Sequence, residues 1–464
     1  MHSRPRWRIA GPALLLLALG TPLAGCGRPG EPQPGSLQQL AALARADASP
    51  TSLLVILVDT LRADRLSGYG YSRPTSPFLD QLASGGVSFR RVLSPSSWTK
   101  PAMASILTAS YPARHGVLRA NDALPETARL PAEVFGDAGY RTAAVVGNHW
   151  LSQRFGFEQG FQVYQRFTRD FVLRRQRRDP ESTTSGHWAD RGITESAIEF
   201  LRGVGEAPFF LYLHYMGVHN HASDPAPPHF GSEPDARYDN AVAEADRQVA
   251  NVVGALEELG LRSRTLVVVT SDHGESLSER GFDGHGFSLY AQEVEVPLLI
   301  SPPFPLERPR EVKIPVSSID LFPTLYEILG VGPPPGLVGR SLLPIILSGP
   351  DAAGGPVPVF SHLDRRWSDL AREADPIASV LLGRHYYIRD LKDPNRAELF
   401  DVFSDPAQLE SLARSAGPDI ANPLRRQLRR YDATAQQASG SAVQVELPAE
   451  ILKELEQLGY VIRE

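Results

Sequence analysis

The sequence predicts an α/β protein with a mostly parallel central sheet, helices on both faces, and a smaller C-terminal α+β subdomain. Three observations carry this. Ser52–Val58 reads S-L-L-V-I-L-V, a continuous apolar run typical of a strand buried on both faces. Strand-like and helix-like segments then alternate, the pattern that crossover helices between parallel strands produce. Finally, two apolar strands run straight into reactive side chains. Asp59 follows the first, and Ser271-Asp272-His273-Gly274-Glu275 follows Thr265–Thr270. Open α/β sheets place ligands beyond the carboxyl ends of their strands, so both groups are expected at one edge.

The chain has 464 residues, 42% hydrophobic and 22% charged, enough for one large core and a smaller partner domain. Its formal net charge is −6 and its basic residues form no recognisable module, which argues against a nucleic-acid partner. A single cysteine excludes an intramolecular disulfide. Before it, Arg4, Arg6 and Arg8 lead into an apolar run from Ile9 to Leu23, as in a secretory signal. Pro12 and Pro22 break that run, which is also too short for a good spanning helix. The ending L-A-G-C resembles the lipobox of bacterial lipoproteins. That resemblance implies removal of 1–25, lipidation of Cys26, and anchoring in the bacterial cell envelope. Gly27, in place of a retaining Asp, implies the outer membrane, facing the periplasm or the cell surface. Residues 26–49, rich in Pro, Gly, Gln and Ala, read as a tether with a weakly helical patch at Leu37–Ala44.

The domain expected over 50–347 continues with a helix at Pro77–Ala83 and a strand at Val87–Leu93. Leu130–Gly139 reads as a helix with Gly as its stop, then Thr142–Gly147 as a strand. Between Phe155 and Trp188 the pattern dissolves. Arg174-Arg175-Gln176-Arg177-Arg178 lies there, either as solvated surface or as a device steering an anionic substrate. A helix at Ala189–Arg202, a strand at Pro208–His214 and a long helix at Asp239–Leu259 follow. Pro297–Ile300 and Ile319–Leu329 complete the domain, Gly332–Pro335 marks a turn, and Ser348–Pro356 marks the boundary. In 348–464, Ala378–Arg389 is strand-like and Leu447–Leu458 is an amphipathic helix.

The stretch S-S-W-T-K-P-A-M-A-S-I-L-T has a distinct signal. Thr99 reads as the N-cap of a helix starting near Pro101, a position Pro tolerates. A hydroxyl at the positive end of a helix can also face an anion site. The metal and base that such a hydroxyl requires are offered by Asp59, Asp272 and His273.

These segments together resemble the sulfatase family of the alkaline phosphatase superfamily, from about 52 to 464. The carrying motifs are V-I-L-V-D-T-L-R-A-D, L-T-A-S-Y-P-A-R-H-G, F-F-L-Y-L-H-Y-M-G-V-H, S-D-H-G-E, G-H-G-F-S-L-Y and A-E-L-F-D-V-F-S-D-P. The resemblance implies an alkaline phosphatase-like fold, Asp59 as the first metal-binding Asp, Thr99 as the nucleophile, and Asp272 and His273 as the second metal-ligand pair. It also implies His219 near the leaving group, and His285 where many sulfatases carry a lysine contacting the transferred group. Two departures stand out. The signature C/S-x-P-S-R reads T-K-P-A-M here, with Met103 in place of Arg. The usual Asp-Asp pair is Asp59-Thr60.

A Thr hydroxyl becomes a useful nucleophile only when a base or metal takes its proton. Asp59, Thr99, Asp272 and His273 make a mixed O/N set for one divalent ion, favouring Zn²⁺ or Mn²⁺ over Ca²⁺ or Mg²⁺. For a second ion only His219, His221, His285 and Asp224 remain. His219 and His285 are candidates for protonating the leaving group, while His149 and His221 read as structural. Lys100 could pair with substrate oxygens or simply be solvated. The expected activity is metal-dependent hydrolysis of anionic sulfate or phosphate esters, with Thr99 favouring phosphate mono- or diesters. A phosphoryl transferase acting on an envelope glycan or lipid, and a non-catalytic binding protein, are the alternatives. The sequence does not set the oligomeric state.

Overall fold

The computed structural model describes residues 35–43, 50–167, 188–222, 229–393, 395–438, 442–457, 460 and 462. Cys26, Asp224 and the Arg174–Arg178 run lie outside them.

A nine-stranded sheet organises the fold. Its strands are β1 (Ser52–Val58), β2 (Val87–Leu93), β3 (Arg141–Val146), β4 (Val163–Arg166), β5 (Phe209–Tyr215), β6 (Thr265–Thr270), β7 (Glu295–Ser301), β8 (Arg310–Val312) and β9 (Val316–Ser317). The order across it is β8-β2-β7-β6-β1-β5-β3-β4, with β9 also on β2. Only β7 runs against its neighbours. The expected mostly parallel sheet is therefore present, with one reversed strand. The V-Y-Q-R of β4 was hidden from sequence reading because an edge strand needs no apolar face.

Alternation along β1 shows why its sequence is apolar throughout. Leu53, Val55 and Leu57 pack into one cluster, with Met103, Ile106, Phe135 and Phe322. Leu54, Ile56 and Val58 pack into another, with Ile193, Tyr238 and Val249. The first face is covered by α2 (Thr99–Thr108), α3 (Pro131–Asp137) and α6 (Leu321–Leu329). The second is covered by α1 (Pro77–Ser84), α4 (Trp188–Arg202) and α5 (Pro234–Glu258). Helix α5 starts earlier than its apolar pattern suggested because Pro234 occupies its first turn, where a missing N–H costs nothing.

Beyond the boundary stretch lies an antiparallel sheet of β10 (Val359–Asp364), β11 (Pro376–Leu382), β12 (His385–Asp390) and β13 (Ala397–Asp401). The single strand expected over Ala378–Arg389 is thus a hairpin, turned at Gly383, whose φ of 63° lies in the left-handed region. Helix α7 (Pro418–Ala438) packs Leu424, Leu428 and Tyr431 on this sheet. A last helix, α8 (Ala449–Gln457), seals the main core with Leu455. Among the described residues, no helix is long and apolar enough to cross a membrane.

Candidate active site

Four adjacent parallel strands, β3, β5, β1 and β6, end side by side. Asn148 comes just past β3, His214 lies within the end of β5, Asp59 follows β1, and Asp272 and His273 follow β6. All five side chains are buried, as is Thr99. A turn at Thr60, with a left-handed φ of 61°, follows Asp59. Its N–H faces Asp272 Oδ1 at 3.4 Å and its carbonyl accepts from the Tyr238 hydroxyl at 2.7 Å.

Thr99 is the first residue of α2 and not its cap. Trp98 precedes the helix and the helix start has no side-chain cap bond. The Thr99 hydroxyl is instead committed across the site. It lies 3.3 Å from His273 Nε2, 3.5 Å from Asp59 Oδ2 and 3.2 Å from Asn148 Nδ2. Asn148 also donates to Asp59 Oδ2 at 2.6 Å, and its own Oδ1 accepts from the Trp150 N–H at 2.8 Å, which fixes the amide's orientation.

Two carboxylates, Asp59 and Asp272, lie behind Thr99. Asp59 Oδ1 and Asp272 Oδ2 are buried and, among the described residues, have no hydrogen-bond partner. His273 Nε2 lies 3.7 Å from the first and 3.4 Å from the second. His273 Nδ1 donates to the Gly274 carbonyl at 2.9 Å, so the Nε2 lone pair faces both orphaned oxygens. Burial, reinforced by the charge of His285, lowers His273 to about 3 and keeps it neutral. For Asp59, burial is outweighed by the His214 hydrogen bond and the surrounding imidazoles, which hold it low. Burial and then the charge of Asp59 push Asp272 well up. Two buried carboxylates with bare oxygens beside a neutral imidazole are costly unless a cation joins them. The residues present therefore fit one divalent ion, held by Asp59, Asp272, His273 and the Thr99 hydroxyl.

His214 also clusters with Asp59 and Asp272, with one potential ligand atom from each within 4.8 Å of the others. However, its Nε2 is engaged by Asp59 Oδ2 at 2.9 Å and its Nδ1 by the Tyr212 hydroxyl at 2.7 Å. It orients Asp59 and leaves the orphaned oxygens to His273.

The opposite wall holds His219 and His285, whose rings are 5.1 Å apart; the His285 ring is 4.5 Å from that of His273. Glu275 Oε2 meets His285 Nδ1 at 2.9 Å. Burial disfavours the imidazolium, but the Glu275 charge and hydrogen bond prevail and raise His285 to about 9. Burial lowers His219. His221 is structural, bonded to the Val218 carbonyl at 3.0 Å and packed against Tyr238. Lys100 corrects both expectations made of it. It is fully buried, turned to the Ala120 carbonyl and lying 4.0 Å from the Phe155 ring centre and 4.9 Å from that of Trp150.

Sequence reading missed Asn148, His214, Glu275 and Tyr460. The first two obey the strand-end rule that found Asp59, and Glu275 sits inside the S-D-H-G-E motif. Tyr460 had no signal, since only the tertiary fold carries it to the site.

The Sulfatase family model matches residues 51–331. Rat steryl-sulfatase is 33% identical over 47% of this chain, which spans 39% of that protein's length. The Δ4,5-hexuronate-2-O-sulfatase of Bacteroides thetaiotaomicron is 22% identical over 80% of this chain and 86% of its own. Among solved structures, the phosphonate monoester hydrolase of Agrobacterium radiobacter superposes with a TM-score of 0.67 at 22% identity, over 86% of this chain and 98% of its own. With the sheet, the strand-end carboxylates and the family model in agreement, the chain belongs to the sulfatase family of the alkaline phosphatase superfamily.

Proposed function

We propose that the protein hydrolyses anionic esters with Thr99 as an unmodified nucleophile, and that it favours phosphate mono- or diesters over sulfate esters. The observation carrying this is the setting of the Thr99 hydroxyl, which receives one donor, Asn148, and faces two acceptors, Asp59 and His273. Asn148 engages an oxygen lone pair, so the hydroxyl hydrogen is directed to Asp59 Oδ2, which can take the proton, while the His273 Nε2 lone pair is left to the ion. His285, held as an imidazolium by Glu275, is placed to donate to an ester oxygen on the other side. A divalent ion, when bound, would neutralise charge on the transferred group and acidify the Thr99 hydroxyl. The His273 nitrogen among oxygen donors favours Zn²⁺ or Mn²⁺.

The phosphate preference follows from Thr99 itself. A formylglycine hydrate sheds its sulfate by eliminating across two oxygens on one carbon. A Thr ester has no second oxygen there, so water must attack phosphorus or sulfur directly. Structural likeness to phosphonate monoester hydrolases from Agrobacterium radiobacter and Silicibacter pomeroyi agrees with a phosphorus substrate. Aryl phosphate monoesters, aryl phosphate diesters and aryl sulfates should be compared on one metal-loaded preparation. A clear preference for the sulfate would overturn the reading. We further propose that Cys26 anchors the protein in a bacterial envelope membrane, which Cys26→Ser should release from the membrane fraction.

A further inference from the structure

The space in front of Thr99 is already taken by a side chain of the same protein. The Tyr460 hydroxyl lies 2.7 Å from His219 Nε2 and 3.3 Å from His285 Nε2. Asp59, Glu275, Asp272 and the Thr99 hydroxyl are the other polar groups that act on it. Its ring stands among aromatic neighbours, with ring centres 5.6 Å from Trp150, 5.8 Å from Trp367, 5.7 Å from His219 and 6.0 Å from His285. The residue is buried, and its N–H closes onto the Leu455 carbonyl of α8 at 3.0 Å.

Those contacts match what an ester would make. When Thr99 attacks the phosphorus, the P–O bond on the far side breaks and the departing bridging oxygen must be met by a hydrogen-bonding group there; the phenol oxygen of Tyr460 is the atom that meets His285 Nε2, at 3.3 Å. Only one of the two oxygens can meet His285 Nε2 at a time. We propose that Tyr460 fills the leaving-group subsite as the chain's own stand-in for the alcohol half of the substrate, and that this subsite takes an aromatic alcohol. The proposal rests on the reading of Thr99 as nucleophile. It adds the class of ester, one whose leaving group is a phenol able to replace the Tyr460 ring between Trp150 and Trp367. A site that is free only part of the time binds its ligand more weakly in proportion. Tyr460 therefore selects against small anions and small alkyl esters, which cannot replace its ring contacts.

The test is binding of inorganic phosphate, measured by calorimetry on the full chain loaded with one divalent ion. Wild type is compared with Tyr460→Ala and Tyr460→Phe, with thermal melts confirming folding. A subsite blocked about nine-tenths of the time predicts roughly tenfold tighter phosphate binding by Tyr460→Ala. Added p-cresol should then restore the weaker, wild-type affinity. Tyr460→Phe, which keeps the ring and removes the oxygen, should fall between them, and decides alone if the Ala variant does not fold. Phosphate binding that is unchanged or weaker in the folded variants overturns the proposal, as does tightening that p-cresol does not reverse. Failure of the Thr99 reading shows separately, as ester turnover surviving in Thr99→Ala, because the phosphate comparison requires no turnover.

Discussion

Glu275 Oε2 and His285 Nδ1 are 2.9 Å apart, joining a buried carboxylate to a largely enclosed imidazole beside Asp59, Thr99 and His273. Because the folded pKa of His285 is raised to about 9, the imidazolium persists through neutral pH. The sign follows directly. Its contribution to stability is complete below the unfolded value near 6.5 and is lost as pH rises through about 9. In chelator-treated protein, an NMR titration of His285 should show a midpoint well above 6.5, and Glu275→Gln should lower it. A midpoint unmoved by Glu275→Gln would mean that Glu275 does not set the charge of His285.

Asp272→Asn should reduce bound metal and turnover together, because it removes the charge from one of the two orphaned oxygens. Elemental analysis beside a kinetic assay checks this. Full occupancy with normal turnover would exclude Asp272 from the coordination shell.

Thr99→Ala should reduce turnover by roughly 10³-fold or more while leaving the melting curve nearly unchanged. Thr99→Ser should retain part of the activity, since it preserves the oxygen. Intact mass spectrometry should show Thr99 unoxidised. Equal activity in the Ala and Ser variants would remove the hydroxyl from the mechanism.

Lys100 makes a prediction about stability. Burial lowers its pKa well below the usual value, only partly countered by the charge of Asp122. Through Lys100 the folded state thus binds fewer protons than the unfolded one between the lowered value and about 10.5, so the Lys100 contribution to stability should rise with pH across that window. Lys100→Met, which keeps the stem's volume among Trp98, Trp150 and Phe155, should abolish that rise. Denaturant melts of both proteins at pH 7 and pH 9 measure it. Parallel pH dependence in the two would show Lys100 to be charged when folded.

The sheet and its first ligands were legible because strand burial leaves a local mark. Ser52–Val58 and Thr265–Thr270 were read to the residue, and their ends pointed to Asp59 and Asp272. Support residues were harder to see. Asn148 looked like a loop polar residue and His214 like the end of a strand, since hydrogen bonds to Asp59 are made across the sheet. Thr99 looked like a cap because its partners lie 40, 49 and 174 positions away. Lys100 ran against every local expectation, because only the assembled aromatic cluster encloses it.

The pairing of β1 with β5 and β6 has a consequence for when a metal could enter the site. Leu57 aligns with His214 on one side and Thr270 on the other, so the central strand waits for partners far along the chain. Pairing at such long range is slow, because the loops must close before the contacts are made. Asp59 and Asp272 therefore come together only when the middle of the sheet has assembled, and a half-built chain has no pocket for the ion. Metal capture during refolding should lag behind helix formation, making the ion a reporter of late assembly rather than its nucleus.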